Sequence, residues 1–291
     1  MRRILRAVTL TSLAGALLLS GCENSTPLFS ENDAATATPA NPSSARAATT
    51  APAARDALPG DHAQTPRYRI DINYPDLPAS EAVLAKVLRA TGDNAKREFM
   101  QGLPDPGRLP EFANRQLAFM IDFSVATRLP RFVSVREQGM ADTGGAHPIP
   151  IDGSVVYDTK AGKIIALDDL FTHPEQALER LSKLSRETLG KKLLAETPSA
   201  EEAPPEVRQQ WLDSMRSMIH DGTEPEKQNF SEFMLLADIG GQAAGLQLIF
   251  PPYQVAPYVY GTQTVDVPVD VFADLLKPPY REAFDRAADG S

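Results

Sequence analysis

One cysteine, one tryptophan and four histidines are all that 291 residues supply of the side chains most often used in chemistry. A lone cysteine, Cys22, excludes a disulfide within the chain. The histidines at 62, 147, 173 and 220 are too few and too scattered to suggest a metal cage. No metal or other cofactor is expected. There is no Gly-x-Ser-x-Gly elbow, no His-Glu-x-x-His zinc helix and no Gly-x-x-x-x-Gly-Lys-Ser/Thr phosphate loop. Gly240, Gly241 and Gly245 do not fit the dinucleotide fingerprint. Basic charge is short as well, with 29 Lys and Arg against 38 Asp and Glu. Nucleic acid is therefore an unfavoured partner, because phosphates need a basic footprint.

What is present begins with an address. Arg2, Arg3 and Arg6 precede an uncharged apolar run, Ala7 to Leu19. This is the layout of a secretory signal, and the run is short for a membrane span. It ends Leu19-Ser20-Gly21-Cys22, which resembles a bacterial lipobox. Residues 1–21 are thus expected to be a lipoprotein signal peptide, and Cys22 to be lipidated and to hold the chain to a membrane. Glu23 stands where an aspartate would favour inner-membrane retention. The expected location is the periplasmic face of the outer membrane of a Gram-negative bacterium. Removing the three signal arginines leaves 26 basic and 38 acidic side chains, a net of −12. Such a surface steers cationic partners inward, although many soluble proteins are acidic for solubility alone.

Residues 22–66 are rich in Ala, Thr, Ser and Pro and poor in large apolar groups after Phe29. Such a segment buries too little to offset its ordering entropy, so it is expected to be a disordered tether. From Arg67 the pattern changes. Tyr68, Ile70, Ile72 and Tyr74 alternate with polar residues, as do Leu117, Phe119, Ile121, Phe123 and Val125, and both read as strands. Phe132 to Glu137 reads as an antiparallel neighbour. Ser80 is expected to cap a helix carrying Val83, Leu84, Val87 and Leu88. Asp158 to Lys163 reads as a hairpin turn. Leu178, Leu181 and Leu184 mark a second helix, and Val207, Trp211, Met215 and Ile219 a third. Strands are expected at Phe230–Asp238, Leu246–Phe250 and Thr262–Val267, and a short helix over Val269–Leu276. The expected class is α+β, an antiparallel sheet with helices on one side, in two strand-rich halves, 67–150 and 151–291.

The most unusual stretch is Asp142-Thr-Gly-Gly-Ala-His-Pro148. Gly144 and Gly145 permit backbone angles other residues avoid, and Pro148 holds His147 extended. Composition alone is met first by a bulge or crossover with His147 packing locally, and second by a loop presenting amides and an imidazole to a ligand. Asp168 and Asp169 point apart on an extended chain, and Asp169 or Thr172 reads more simply as a helix cap.

Thr143 to Pro148, then Val156-Tyr157-Asp158, the turn Thr159 to Lys163, Leu167-Asp-Asp-Leu-Phe171, and later Phe250-Pro-Pro-Tyr253 through Pro257-Tyr-Val-Tyr-Gly261 and Val265-x-Val-Pro268, together resemble one known domain family. It is the extracytoplasmic domain of the anti-sigma factor RsiV and of the N-terminal part of the peptidoglycan deacetylase PdaC. The resemblance covers about 68 to 278. It implies a receptor-like binding domain, which in RsiV binds lysozyme, with deacetylation in PdaC belonging to a separate domain. This chain shows no transmembrane helix, no anti-sigma segment and no Thr-Phe-Asp-Asp-type motif, so no catalytic residue is expected. The expectation is a non-catalytic envelope lipoprotein recognising a lysozyme-like protein or peptidoglycan. Its binding residues would be Gly144, Gly145 and His147, with Tyr253, Tyr258 and Tyr260 as amphipathic anchors. The tyrosines are equally readable as half-buried sheet positions. The alternatives are a glycan-modifying enzyme using His147 with Asp142 or Asp158, and a structural assembly lipoprotein.

Overall fold

The computed structural model describes residues 55–56, 59–105, 114–196 and 203–284. Cys22 and the signal segment lie outside these. The strand order begins with β1 (Arg55–Asp56), β2 (Asp61–Gln64), β3 (Tyr68–Asn73) and β4 (Leu77–Pro78). Helix α1 (Ala82–Gln101) follows, then β5 (Leu117–Arg128), β6 (Phe132–Asp142), β7 (Ile149–Asp158) and β8 (Lys163–Ile165). β1 pairs with β4, and the rest form one six-stranded sheet in the order β2-β3-β5-β6-β7-β8.

That sheet is mixed, which corrects the antiparallel expectation: β3 and β5 run parallel, with Ile70 opposite Phe119. Parallel neighbours need a long crossover, and the segment carrying α1 is that crossover. Its Leu84, Leu88 and Phe99 are buried against Ile70, Ile72, Phe119, Ile121 and Phe123 of the sheet. Ser80 does not cap α1. The chain enters through a 3-10 turn at Ala79–Glu81, and no side chain caps the first turn. The buried Glu81 carboxylate is engaged instead by Arg128.

Within the expected tether, residues 22–66, the stretch Asp61–Gln64 forms β2 and pairs along β3; its residues up to 54 lie outside those described. His62, there, reaches Asp71 at 3.1 Å. The expected seam at residues 150 and 151 falls inside β7, and the six-stranded sheet continues to Ile165.

The second half contains α2 (Pro174–Leu194), α3 (Pro205–Gly222), β9 (Phe233–Ala237), β10 (Ala243–Phe250), β11 (Gln263–Pro268) and α4 (Pro278–Phe284). β9, β10 and β11 form an antiparallel sheet with β10 central. Leu181, Leu189, Met215, Phe230, Leu246, Phe250 and Phe272 make its core, and Phe132 and Val156 of the large sheet join the same cluster. The large sheet is thus covered by α1 on one face and by the second half on the other. Two serines stitch the join: Ser154 Oγ accepts the Phe233 amide at 2.8 Å, and Ser134 Oγ the Leu235 amide at 3.1 Å.

The helix expected over Val269–Leu276 is two 3-10 turns, Val269–Val271 and Ala273–Leu275, broken at Phe272. Val269, Phe272 and Leu275 are all buried. Their spacing of three matches the 3-10 repeat. Asp169 caps its own 3-10 turn at Leu167–Leu170 by accepting the Ala166 amide, rather than capping α2. Among the described residues no helix is long and apolar enough to cross a membrane.

Candidate functional site

The β6–β7 hairpin ends in the loop at residues 143–148. Asp142 organises its start: its Oδ1 accepts the Gly144 amide at 2.9 Å, and both carboxylate oxygens accept from Arg115 at 2.9 Å. Gly144 sits at φ 92°, a left-handed angle that requires glycine. Gly145 does not share that angle, and a Cβ there would meet only the His147 carbonyl oxygen, at an ordinary contact distance of 3.8 Å. The loop's geometry thus depends on Gly144 and not on Gly145.

His147 is aimed at the second half. Its Nδ1 lies 3.1 Å from the Pro148 carbonyl, which can only accept, so Nδ1 carries the proton. Nε2, 2.9 Å from the Tyr253 hydroxyl, is then the acceptor. The imidazole stacks on Tyr258 with ring centroids 4.2 Å apart and planes 20° apart. Tyr253 and Tyr258 complete the cluster at 5.7 Å. His147 thus meets two tyrosines more than a hundred positions further along the chain, and the three rings form one surface crest. Ile149, next to the loop in sequence, and Val259, next to Tyr258, are 54% and 84% exposed.

The turn bearing Tyr253 is braced from below. Tyr253 N–H donates to the Ala256 carbonyl, and Gln254 Nε2 donates to the carbonyls of Gly222 and Asn229. Val255 and Ala256 are buried. Tyr253 itself stands at φ 73°, the one non-glycine with a left-handed backbone among the described residues. Such an angle costs an L-residue roughly 1–2 kcal/mol, and strain of this kind gathers at functional sites. Tyr253→Gly is therefore expected to match the parent chain in urea or exceed it by up to about 1 kcal/mol, after glycine's own entropy is counted. A clear loss of stability would show that the turn depends on the ring and not on the backbone angle.

Tyr260 departs from this group. It packs toward Trp211, with centroids 6.5 Å apart, and lines a separate cleft of about 490 Å³ with Lys192, Glu196, Val259, Thr262 and Gln263. The two carboxylates that could have served His147 are committed elsewhere. Asp142 is held by Arg115, and Asp158 is fully buried beneath Arg131. His220, Asp221 and Glu224, close enough to share an ion, lie at the surface around the end of α3.

A second polar cluster was not legible in the sequence. Arg136 and Asp152 form a buried ion pair, and Thr262 donates to Asp152. Nearby, burial first, and then the Glu232 and Asp152 charges, push the Glu137 carboxyl up to about 7. Burial raises Glu232 as well. Alternation in β6 and β7 indicates which residues share a face, but nothing in it marks acidic side chains for burial under another half of the chain.

Residues 168–270 match the model of a protein family of unknown function, DUF3298. The match starts just past β8, so it covers most of the second half, including Tyr253 and Tyr258. The chain is 22% identical over 213 residues to peptidoglycan-N-acetylmuramic acid deacetylase PdaC of Bacillus subtilis strain 168. That alignment takes in 73% of this chain and 40% of the deacetylase, so the chain spans well under half of its relative. A crystal structure of a DUF3298 family member from Bacteroides fragilis NCTC 9343 superposes with a TM-score of 0.51 at 16% identity, covering 80% of this chain and 97% of that one. A DUF3298 family protein from Pseudomonas aeruginosa PAO1 gives a TM-score of 0.49 at 17% identity, over 77% and 96%. The two sequence comparisons agree in direction: residues 168–270 are similar to the DUF3298 family, and the chain is similar over 213 residues to part of PdaC.

Proposed function

We propose that the protein is a non-catalytic binding module of the bacterial cell envelope, held to the outer membrane through a lipidated Cys22, and that the crest of His147, Tyr253 and Tyr258 seats a basic, lysozyme-like protein. The observation that carries this reading is the convergence of the three rings from opposite halves of the fold onto one exposed, braced surface. Tyrosines with a wet hydroxyl and an apolar body suit protein interfaces. The net charge of −12 left after signal removal adds attraction for a cationic partner. The engagement of both His147 nitrogens, with no carboxylate orienting the ring, supports binding over acid–base catalysis. Peptidoglycan is the second ligand, favoured by the substrate in the relative's name.

Calorimetric titration of residues 51–291 with a basic lysozyme, at low and at physiological salt, tests the reading. Binding that survives physiological salt is expected, because apolar and aromatic contacts are not screened. Tyr258→Ala is expected to weaken it about 30-fold, or about 2 kcal/mol, as truncation of a central aromatic does. An unchanged affinity for His147→Ala would remove the loop from the site. Heat with peptidoglycan fragments but none with lysozyme would transfer the reading to the glycan.

A further inference from the structure

The join between the two halves contains an arrangement that ligand binding does not explain. Glu232 lies just ahead of β9. Its Oε2 accepts two hydrogen bonds from Ser154 of β7, from the amide at 2.6 Å and from Oγ at 3.0 Å. Ser154 Oγ in turn accepts the Phe233 amide at 2.8 Å. The Phe233 N–H, the Ser154 hydroxyl, the Glu232 carboxylate and the Ser154 N–H thus close a ring across the join. The two donors on Oε2 favour the ionised form of Glu232 and work against the burial that raises it.

Glu137 approaches the same place from β6. Its register partner on β7 is Gly153, and on β5 it is Phe123. Gly153 has no side chain, and two carboxylate oxygens use the space left. Glu137 Oε2 lies 3.0 Å, and Glu232 Oε2 3.5 Å, from where a Cβ would stand. The other charges here are Asp152 and Arg136, and they are already paired with each other. The join therefore holds three carboxyl groups and one guanidinium, mostly out of water. Such a set cannot all be ionised at low cost.

We infer that Glu137 and Glu232, converging over Gly153, form a proton-operated latch: a proton on Glu137 keeps β9 closed against β7, and its loss drives the two carboxylates apart and loosens the halves. The sign follows from the direction of the shift. Below the ordinary glutamic acid range the folded and unfolded chains both carry the proton, and the latch is at full strength. From pH 4.5 to about 7 only the folded chain keeps it, so the folded state weakens as pH rises, and the loss is complete above about 7. The contact of His147 with Tyr253 and Tyr258 is made across the same join, so opening the latch would also part the crest.

Hydrogen exchange on the full chain, corrected for intrinsic rates, tests this without any ligand. Protection of the Ser154 and Phe233 amides is expected to fall by up to about 100-fold between pH 5 and pH 8, while the Leu84 and Leu88 amides of α1 change much less. Glu137→Gln, a permanent mimic of the protonated acid, is expected to abolish that slope. Should this variant fail to fold, the carbon chemical shift of the Glu137 carboxyl in the parent chain gives the same answer by titrating near neutrality. Protection that is level with pH, a slope retained in Glu137→Gln, or a carboxyl titrating at its ordinary value would each overturn the latch. These outcomes do not depend on whether the crest binds anything.

Discussion

Replacing Asp158 with alanine is expected to lower the unfolding free energy by about 3–5 kcal/mol, the cost of stripping one partner from a buried ion pair. Asp158 ends β7 with a fully buried side chain. It accepts from Arg131 Nε at 3.2 Å and from Arg131 Nη2 at 2.8 Å. Its Oδ1 also accepts the amides of Lys160 and Ala161 at 3.0 Å and so shapes the β7–β8 turn. Arg131, held in place, lies 4.5 Å over the ring of Tyr280 and donates to the Pro279 carbonyl. One carboxylate thereby ties a hairpin turn to α4. Alanine leaves a largely covered guanidinium without its counter-charge and two amides without an acceptor. Asp158→Asn keeps an acceptor for the amides and is expected to lose less. Urea unfolding of the three chains measures the difference. A loss below about 1 kcal/mol for alanine would mean that Arg131 reaches water or a new partner without strain.

Two helical glycines give opposite expected results. Gly222 is the last residue of α3, and a Cβ there would stand 2.0 Å from the Gln254 carbonyl oxygen and 2.8 Å from Val255 Cγ1. Backbone on backbone cannot yield as a flexible side chain would, so Gly222→Ala is expected to destabilise by about 1–3 kcal/mol or more. The displaced segment is the turn that carries Tyr253, so affinity at the crest should fall with stability. Gly190, inside α2, has nothing within 4 Å of its added Cβ. Gly190→Ala is expected to stabilise by up to about 1 kcal/mol, from helix propensity alone. Thermal melts and calorimetric titrations of both variants check the pair. A neutral Gly222→Ala would show that the turn is free to move, and would remove the bracing from the account of the crest.

Local pattern accounted for most of the strands, because alternation in Tyr68–Tyr74 and Leu117–Val125 reflects a two-residue period that burial imposes directly. It could not reveal that β3 and β5 run parallel. That choice belongs to the α1 crossover, and both pairings bury Ile70 and Ile72 equally well. Over Val269–Leu276 a short helix was legible, but not that it is two 3-10 turns broken at Phe272. At the site, the loop glycines and histidine stood out by composition, and the tyrosines came only with the family resemblance. Their meeting is a property of how the halves fold together. Tyr258 and Tyr260 are two residues apart, yet the 3-10 turn at Tyr258–Tyr260 sends the first to His147 and the second toward Trp211. The Glu137–Glu232 pair, 95 positions apart, left no trace in either local sequence.

The outermost strands give the domain a mechanical order of failure. Tension on the N-terminal segment arrives first at β1, two residues on β4, and then at β2, four residues along the edge of β3 with no buried side chain and a Lys96–Asp61 ion pair at its start. These strands can peel away while Ile70 and Ile72 stay packed beneath α1. A pull would thus free β1 and β2 before it reached the core, much as a seam gives before the cloth.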